Sequence, residues 1–160
     1  MIRYALSILA TVVALPALAD GETGGDGTAA LDRWYAAPQT VFEAAEVDLD
    51  DFKWIARPIV VFADSPANPA FVQQMDLLLE RQSELVARDV ILVTDTDPAG
   101  RSEVRTKLRP RGFSITLIGK DGGVKLRKPF PWDVRELTRS IDKMPMRQQE
   151  LRARRDGGDG

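Results

Sequence analysis

No cysteine and no histidine occur among the 160 residues, so any chemistry must come from carboxylates, hydroxyls, amides, lysines and arginines. Thiol–disulfide exchange needs one thiolate to attack and another to leave, and these residues supply neither. The usual ligands of zinc, copper and haem are also missing, and no cofactor is expected. A serine nucleophile would lack the imidazole that commonly activates it. Three stretches gather the polar groups that remain: Asp64-Ser65-Pro66-Ala67-Asn68-Pro69, Asp95-Thr96-Asp97, and the basic run of Arg101, Arg105, Lys107, Arg109 and Arg111.

Ser65 would need a lysine or carboxylate brought to it by folding. Neither a G-x-S-x-G nor an S-x-x-K context surrounds it, and a turn serine beside Pro66 is the better account. Asp64, Asp95 and Arg109 form the acid–base set an enzyme would draw on, because open α/β sheets bind ligands beyond the carboxyl ends of their strands. An EF-hand loop opening at Asp95 would want an oxygen ligand and a glutamate where Ala99 and Thr106 stand, although Gly100 fits. No metal site is expected there. Asp48, Asp50 and Asp51 read as a cap and a solvated face. The basic run would spread around several faces of a helix, and contact with an anionic or phospholipid surface is the binding role it offers. Aromatic interleaving of the kind a nucleic-acid platform uses is missing. The binding candidates are therefore Asp64, Ser65, Asn68, Asp95, Arg109 and Arg111, with no catalytic set. Among aromatics, Trp34 and Tyr35 are best placed for an exposed docking patch, Trp54 is expected to pack beside a sheet, and Trp132 to staple a helix.

The elements that must position these groups are readable from periodicity. Pro58 to Ala63 (PIVVFA) is continuously apolar, the pattern of a central strand buried on both faces. Asn68 can cap a helix that starts at Pro69 and runs to about Arg88, with Phe71, Met75, Leu78, Leu79, Leu85 and Val86 on one stripe. Val90 to Val93 is a second buried strand, completing a strand–helix–strand unit. A short helix over 102–109 follows, then a third strand from Ser114 to Gly119. An Asp-Gly turn leads to an alternating strand, Val124 to Lys128, whose outward Lys125 and Arg127 suit a sheet edge. Asp133 and Glu136 resemble a capping box, with Trp132 and Leu137 as its hydrophobic staple, for a helix that Pro145 stops. Residues 42–52 fit a helical stripe and a strand alternation equally well. A basic terminal helix over 146–154 is a further expectation.

At the N-terminus, Arg3, the apolar run from Tyr4 to Leu15 and Ala17-Leu18-Ala19 read as a secretory signal peptide over 1–19, with Asp20 as the expected mature start. The run is too short for a span of roughly 20 apolar residues. Residues 20–30, Gly-rich and acidic, read as a flexible tether, 31–148 as one domain and 149–160 as a basic, frayed tail. Charge is uneven: residues 20–100 carry a net −11 and 101–160 a net +8. Folding into one domain would let the two halves neutralise each other.

Three segments, Phe52–Ala63 (FKWIARPIVVFA), Ile118–Leu126 (IGKDGGVKL) and Ile141–Arg147 (IDKMPMR), agree in order with one family. Over roughly residues 50–148 the chain resembles an uncharacterised family of secreted thioredoxin-like domains. Members are exported single-domain proteins of Gram-negative bacteria, and the domain also stands at the C-terminus of vertebrate sushi-repeat and extracellular-matrix proteins. The resemblance implies an α/β, three-layer thioredoxin-like fold, a βαβ unit followed by a ββα unit, in a periplasmic or secreted setting. No catalytic residue set comes with it. True thioredoxins hold their redox cysteines where this chain has Asp64 to Pro69, and a cis-proline where it has Phe113-Ser114. The expected function is a redox-inactive binding domain for another envelope or extracellular protein. A cysteine-independent envelope enzyme is the alternative.

Overall fold

The computed structural model describes residues 27–157. The signal-peptide reading and residues 20–26 of the expected tether lie outside the described residues. The elements are α1 (Gly27–Ala36), β1 (Val41–Glu43), β2 (Arg57–Phe62), α2 (Pro69–Glu80), α3 (Gln82–Val86), β3 (Val90–Asp95), α4 (Glu103–Leu108), β4 (Ser114–Ile118), β5 (Val124–Lys128), α5 (Val134–Asp142) and α6 (Pro145–Asp156). The five strands form one sheet in the order β1-β3-β2-β4-β5. The pairs β1–β3 and β2–β3 are parallel, and β4 and β5 continue antiparallel.

Continuous apolarity in β2 translates into burial on both faces. Ile59 and Val61 point into one cluster with Leu78, Leu85, Ile115, Leu117, Leu137 and Ile141. Val60 and Phe62 point into the other, with Trp34, Phe42, Phe52, Ile91, Val93, Val104 and Leu108. The sheet is thus the middle of three layers, with α2, α3 and α5 on one side and α1 and α4 on the other. Ile59 lies opposite both Leu92 and Leu117, and Val93 lies beside Val60. The alternating strand β5 is an edge, as its charges require.

The two charge-biased halves do interlock. Arg88 meets Asp142, Arg57 meets Glu150, Arg105 meets Asp95, and Lys107 meets Asp50.

Several sequence expectations change. The tether ends sooner than expected, because α1 begins at Gly27 and Ala30 is buried against the core. The ambiguous segment becomes neither alternative in full: a three-residue edge strand, β1, followed by 3-10 turns over 44–46 and 49–52. The expected single helix over 69–88 breaks at Arg81 into α2 and α3. Leu79 leaves the stripe and is exposed, while Gln74 is fully buried. Its amide brackets the backbone of Trp132, donating to the carbonyl at 3.0 Å and accepting from the N–H at 2.7 Å. Two unmet backbone groups thus select a polar residue for the core.

Caps behave as local chemistry dictates, with one exception. Asn68 Oδ1 accepts from the N–H groups of Ala70 and Phe71, with Pro69 at the first helical position. Asn68→Ala is expected to cost about 1 kcal/mol in urea unfolding. A change within error would show that Pro69 alone sets the start of α2. Asp133 caps α5 through the N–H of Arg135, but Glu136 does not close the capping box and pairs with Arg139 instead.

Candidate functional site

The carboxyl ends of β2 and β3 were the expected site. The register that sets Phe62 against both Asp95 and Ser114 brings Asp64, Asp95 and Gly112 to one end of the sheet. A Cβ on Gly112 would stand 3.8 Å from Asp64 Oδ2. Asp64, Ser65 and Arg111 are exposed there, and Asn68 is spent on its cap. Asp95, only 4% exposed, is closed off. Arg105 grips its Oδ1 through Nε at 3.0 Å and Nη2 at 2.7 Å, and also donates to the carbonyl of Ala63. Ser102 donates to Oδ2 at 2.6 Å while capping α4. These contacts bolt α4 across the ends of β2 and β3, so Asp95 has a structural role. Among the described residues, none of its hydrogen bonds involves Asp64 or Arg109.

Arg109 does not join this end. It terminates α4 in a left-handed conformation, and its neighbour Leu108 shares a cavity with Pro58 and Ile118, at the opposite ends of β2 and β4. Of the basic run, Arg105 is consumed by Asp95 and Lys107 by Asp50, while Arg101, Arg109 and Arg111 remain exposed. The six candidates are therefore not one assembled site.

A denser polar assembly occupies the other end of the sheet, which strand-end reasoning passed over. Arg57 opens β2 and is 1% exposed. Its Nη2 donates to Glu150 Oε1 at 2.7 Å and its Nη1 to the carbonyl of Arg88 at 2.9 Å, with Asp89 3.9 Å away. Lys120 Nζ lies 2.9 Å from both Asp89 Oδ2 and Glu150 Oε1. Arg147 reaches Glu150 at 3.1 Å and the carbonyl of Ala87, and Arg88 grips Asp142 with two nitrogens. This network clamps α6 to the sheet. It corrects the reading of 149–160 as a frayed tail, because Glu150 sits inside the network and the helix runs to Asp156. A tail rich in arginine, carboxylate and glycine looks solvated in sequence; only the position of α6 shows Glu150 turned inward.

Burial of Glu150 favours its neutral form, but hydrogen bonds from Arg57, Lys120 and Arg147 outweigh it and lower the carboxyl to about 2. Its folded value is thus below its unfolded value of 4.5. The resulting stability is present above the unfolded value and is lost as pH falls from about 4.5 toward 2. Chemical unfolding in that window should show a steep loss in the native chain and a clearly shallower one in Glu150→Gln. Equal slopes would place the acid-sensitive group elsewhere.

Beside the network lies a cleft of about 220 Å³, walled by Gly119, Lys120, Asp121 and Lys125 and by Met144-Pro145-Met146, with buried Arg57 at its base. Every one of these residues falls within the three segments that carry the family resemblance.

The aromatics are redistributed too. Trp34 is buried, edge-on to Phe52 at 6.3 Å, with Nε1 donating to the Val90 carbonyl, so it is no docking residue; Tyr35 beside it is exposed. Trp54, expected beside the sheet, is 67% exposed and holds φ +67°, a backbone region bulky residues rarely occupy. Its N–H donates to the Lys120 carbonyl at 2.6 Å, and that bond ties the strained turn to the β4–β5 hairpin. Trp132 packs at the core margin under Lys128, as the staple requires.

A central sheet of this order, covered by helices on both faces, defines a thioredoxin-like α/β domain. A solved structure of Plasmodium yoelii Prx1a, modified at its N-terminus and forming an artifactual octamer, is similar with a TM-score of 0.50 at 15% identity, over 64% of this chain and 81% of that one. Plasmodium yoelii thioredoxin peroxidase I (TM-score 0.47, 16% identity, 64% and 80% coverage) and the mitochondrial 2-Cys peroxiredoxin of Plasmodium falciparum (0.43, 17%, 60% and 79%) are similar to a lesser degree. Residues 48–150 match the family described as domain of unknown function DUF4174, and the chain belongs to that family.

Proposed function

We propose that this is an exported, redox-inactive thioredoxin-like domain that works by binding another envelope or extracellular protein. One observation carries the reading: the stretch leaving β2, where thioredoxins hold their cysteines, is an exposed Asp64-Ser65-Pro66-Ala67 loop closed by the Asn68 cap. A complete scaffold thus presents a loop without sulfur. The signal-peptide pattern of residues 1–19 and the resemblance to exported single-domain proteins and to the C-terminal domain of sushi-repeat and matrix proteins support the setting. The acid–base alternative draws no support from Asp95, whose carboxylate is held by Arg105 and Ser102.

Two measurements test the proposal. The chain expressed with its own N-terminus should be recovered from the envelope or medium beginning at Asp20; recovery from the cytosol with residues 1–19 intact would overturn the export reading. Crosslinking followed by affinity capture from envelope extract should enrich one protein reproducibly. Failure to enrich any protein across several salt and pH conditions would overturn the binding reading.

A further inference from the structure

We infer that the cleft between the β4–β5 turn and the start of α6 binds a small organic acid, its carboxylate held by cations and its apolar part resting on methionines. This is a small-molecule site, independent of whatever protein the exposed Asp64 loop engages.

Charge selects the sign of the ligand. The cleft wall carries Arg57, Lys120 and Lys125 with one carboxylate, Asp121, while Asp89 and Glu150 lie against Arg57 and Lys120 from outside the lining. Positive side chains thus outnumber negative ones along the lining itself. The cleft also receives the positive end of α6, a twelve-residue helix whose N-cap, Met144, supplies no side-chain acceptor to the first turn. Arg57 lines the same cleft as backing charge: it is 1% exposed, and its Nε–H, which meets no acceptor among the described residues, is itself closed to solvent. Fixed positive charge behind the wall, beside an uncapped helix start, favours an oxyanion in the cleft.

Shape and lining select the rest. The volume of about 220 Å³ far exceeds the roughly 10–15 Å³ that one water needs. Its walls are Met144, Pro145, Met146 and the aliphatic stems of lysines, which favour an apolar group over a bare inorganic anion. Lys120 is already committed to Asp89 and Glu150 and acts as backing charge. Lys125 is the adjustable contact. Among the described residues its Nζ is held by exposed Asp121 alone, at 2.6 Å, and its stem folds over Gly119, where a Cβ would stand 2.5 Å from Lys125 Cε. Swinging this side chain from Asp121 to a ligand carboxylate breaks no contact of the core.

Octanoate, below its micelle-forming concentration, is the probe, with octanol and acetate as its two halves. In the full chain carrying methyl-labelled methionine, octanoate should shift the Met144 and Met146 methyl signals saturably. Octanol and acetate should each bind at least about tenfold more weakly. Lys125→Ala should weaken octanoate about tenfold while its urea midpoint stays at the native value, and Met146→Ala should weaken octanoate with little effect on acetate. Octanol binding as well as octanoate would overturn the inference, as would acetate doing so or the absence of any shift at millimolar octanoate. Co-sedimentation with anionic phospholipid vesicles, without octanoate binding, would also overturn it in favour of a membrane headgroup.

Discussion

Phe62→Ala should lower the unfolding free energy by about 3–5 kcal/mol, the range for truncating a fully buried aromatic. Phe62 ends β2 with no exposed surface, and its backbone lies between Asp95 and Ser114 in the two flanking strands. Its ring also lies 5.4 Å beneath the Arg105 guanidinium that holds Asp95. The substitution therefore leaves a cavity and removes the platform for the clamp that ties α4 to the sheet. Urea unfolding followed by tryptophan fluorescence reads the loss directly. Val72→Ala, on the exposed side of α2, should stay within about 0.5 kcal/mol of the native value as a control. A Phe62→Ala loss below about 1 kcal/mol would mean that the cavity collapses without cost, against the packing density of protein interiors.

Arg57→Ala should be comparably damaging, at about 3–5 kcal/mol, because it takes a fully buried cation out of a network of charges and leaves a cavity in its place. Glu150 would retain Lys120 and Arg147, but the Arg88 carbonyl would lose its donor and Asp89 a cation 3.9 Å away. The consequence should be local as well as global: α6, joined to the rest through this network, should lose hydrogen-exchange protection before the strands do. A double-mutant cycle with Glu150→Ala isolates the pair, and a coupling of about 1–3 kcal/mol is expected for groups sharing one network. Simple additivity would show that α6 is held by other contacts. Together the two variants separate the opposite ends of the sheet, since one weakens the strand-end clamp and the other the clasp on α6.

That division bears on function. The strand end that thioredoxins use for chemistry is here occupied by a cap, a closed ion pair and an exposed loop. A concave surface lies at the far end, where Gly119, Lys120 and the Met144–Met146 corner meet. A scaffold without thiols thus carries a cleft of about 220 Å³ away from the position where thiols would sit.

The central strands, the Asn68 and Asp133 caps, the edge character of β5 and the lack of any cysteine were legible in the residues alone. Each depends on neighbours close in the chain: alternation or continuity of apolar side chains, a side-chain oxygen two or three residues from an unpaired N–H, or a residue type that never occurs. Tertiary structure alone decided that Gln74 is core and Leu79 is not, that Trp34 is buried and Trp54 exposed, and that Asp95 is locked while Glu150 anchors the terminal helix. Those outcomes depend on partners tens of residues away, Trp132 for Gln74 and Arg57 for Glu150. The free energy of a buried polar group is set by the partner that folding brings to it, and no local pattern encodes that distance.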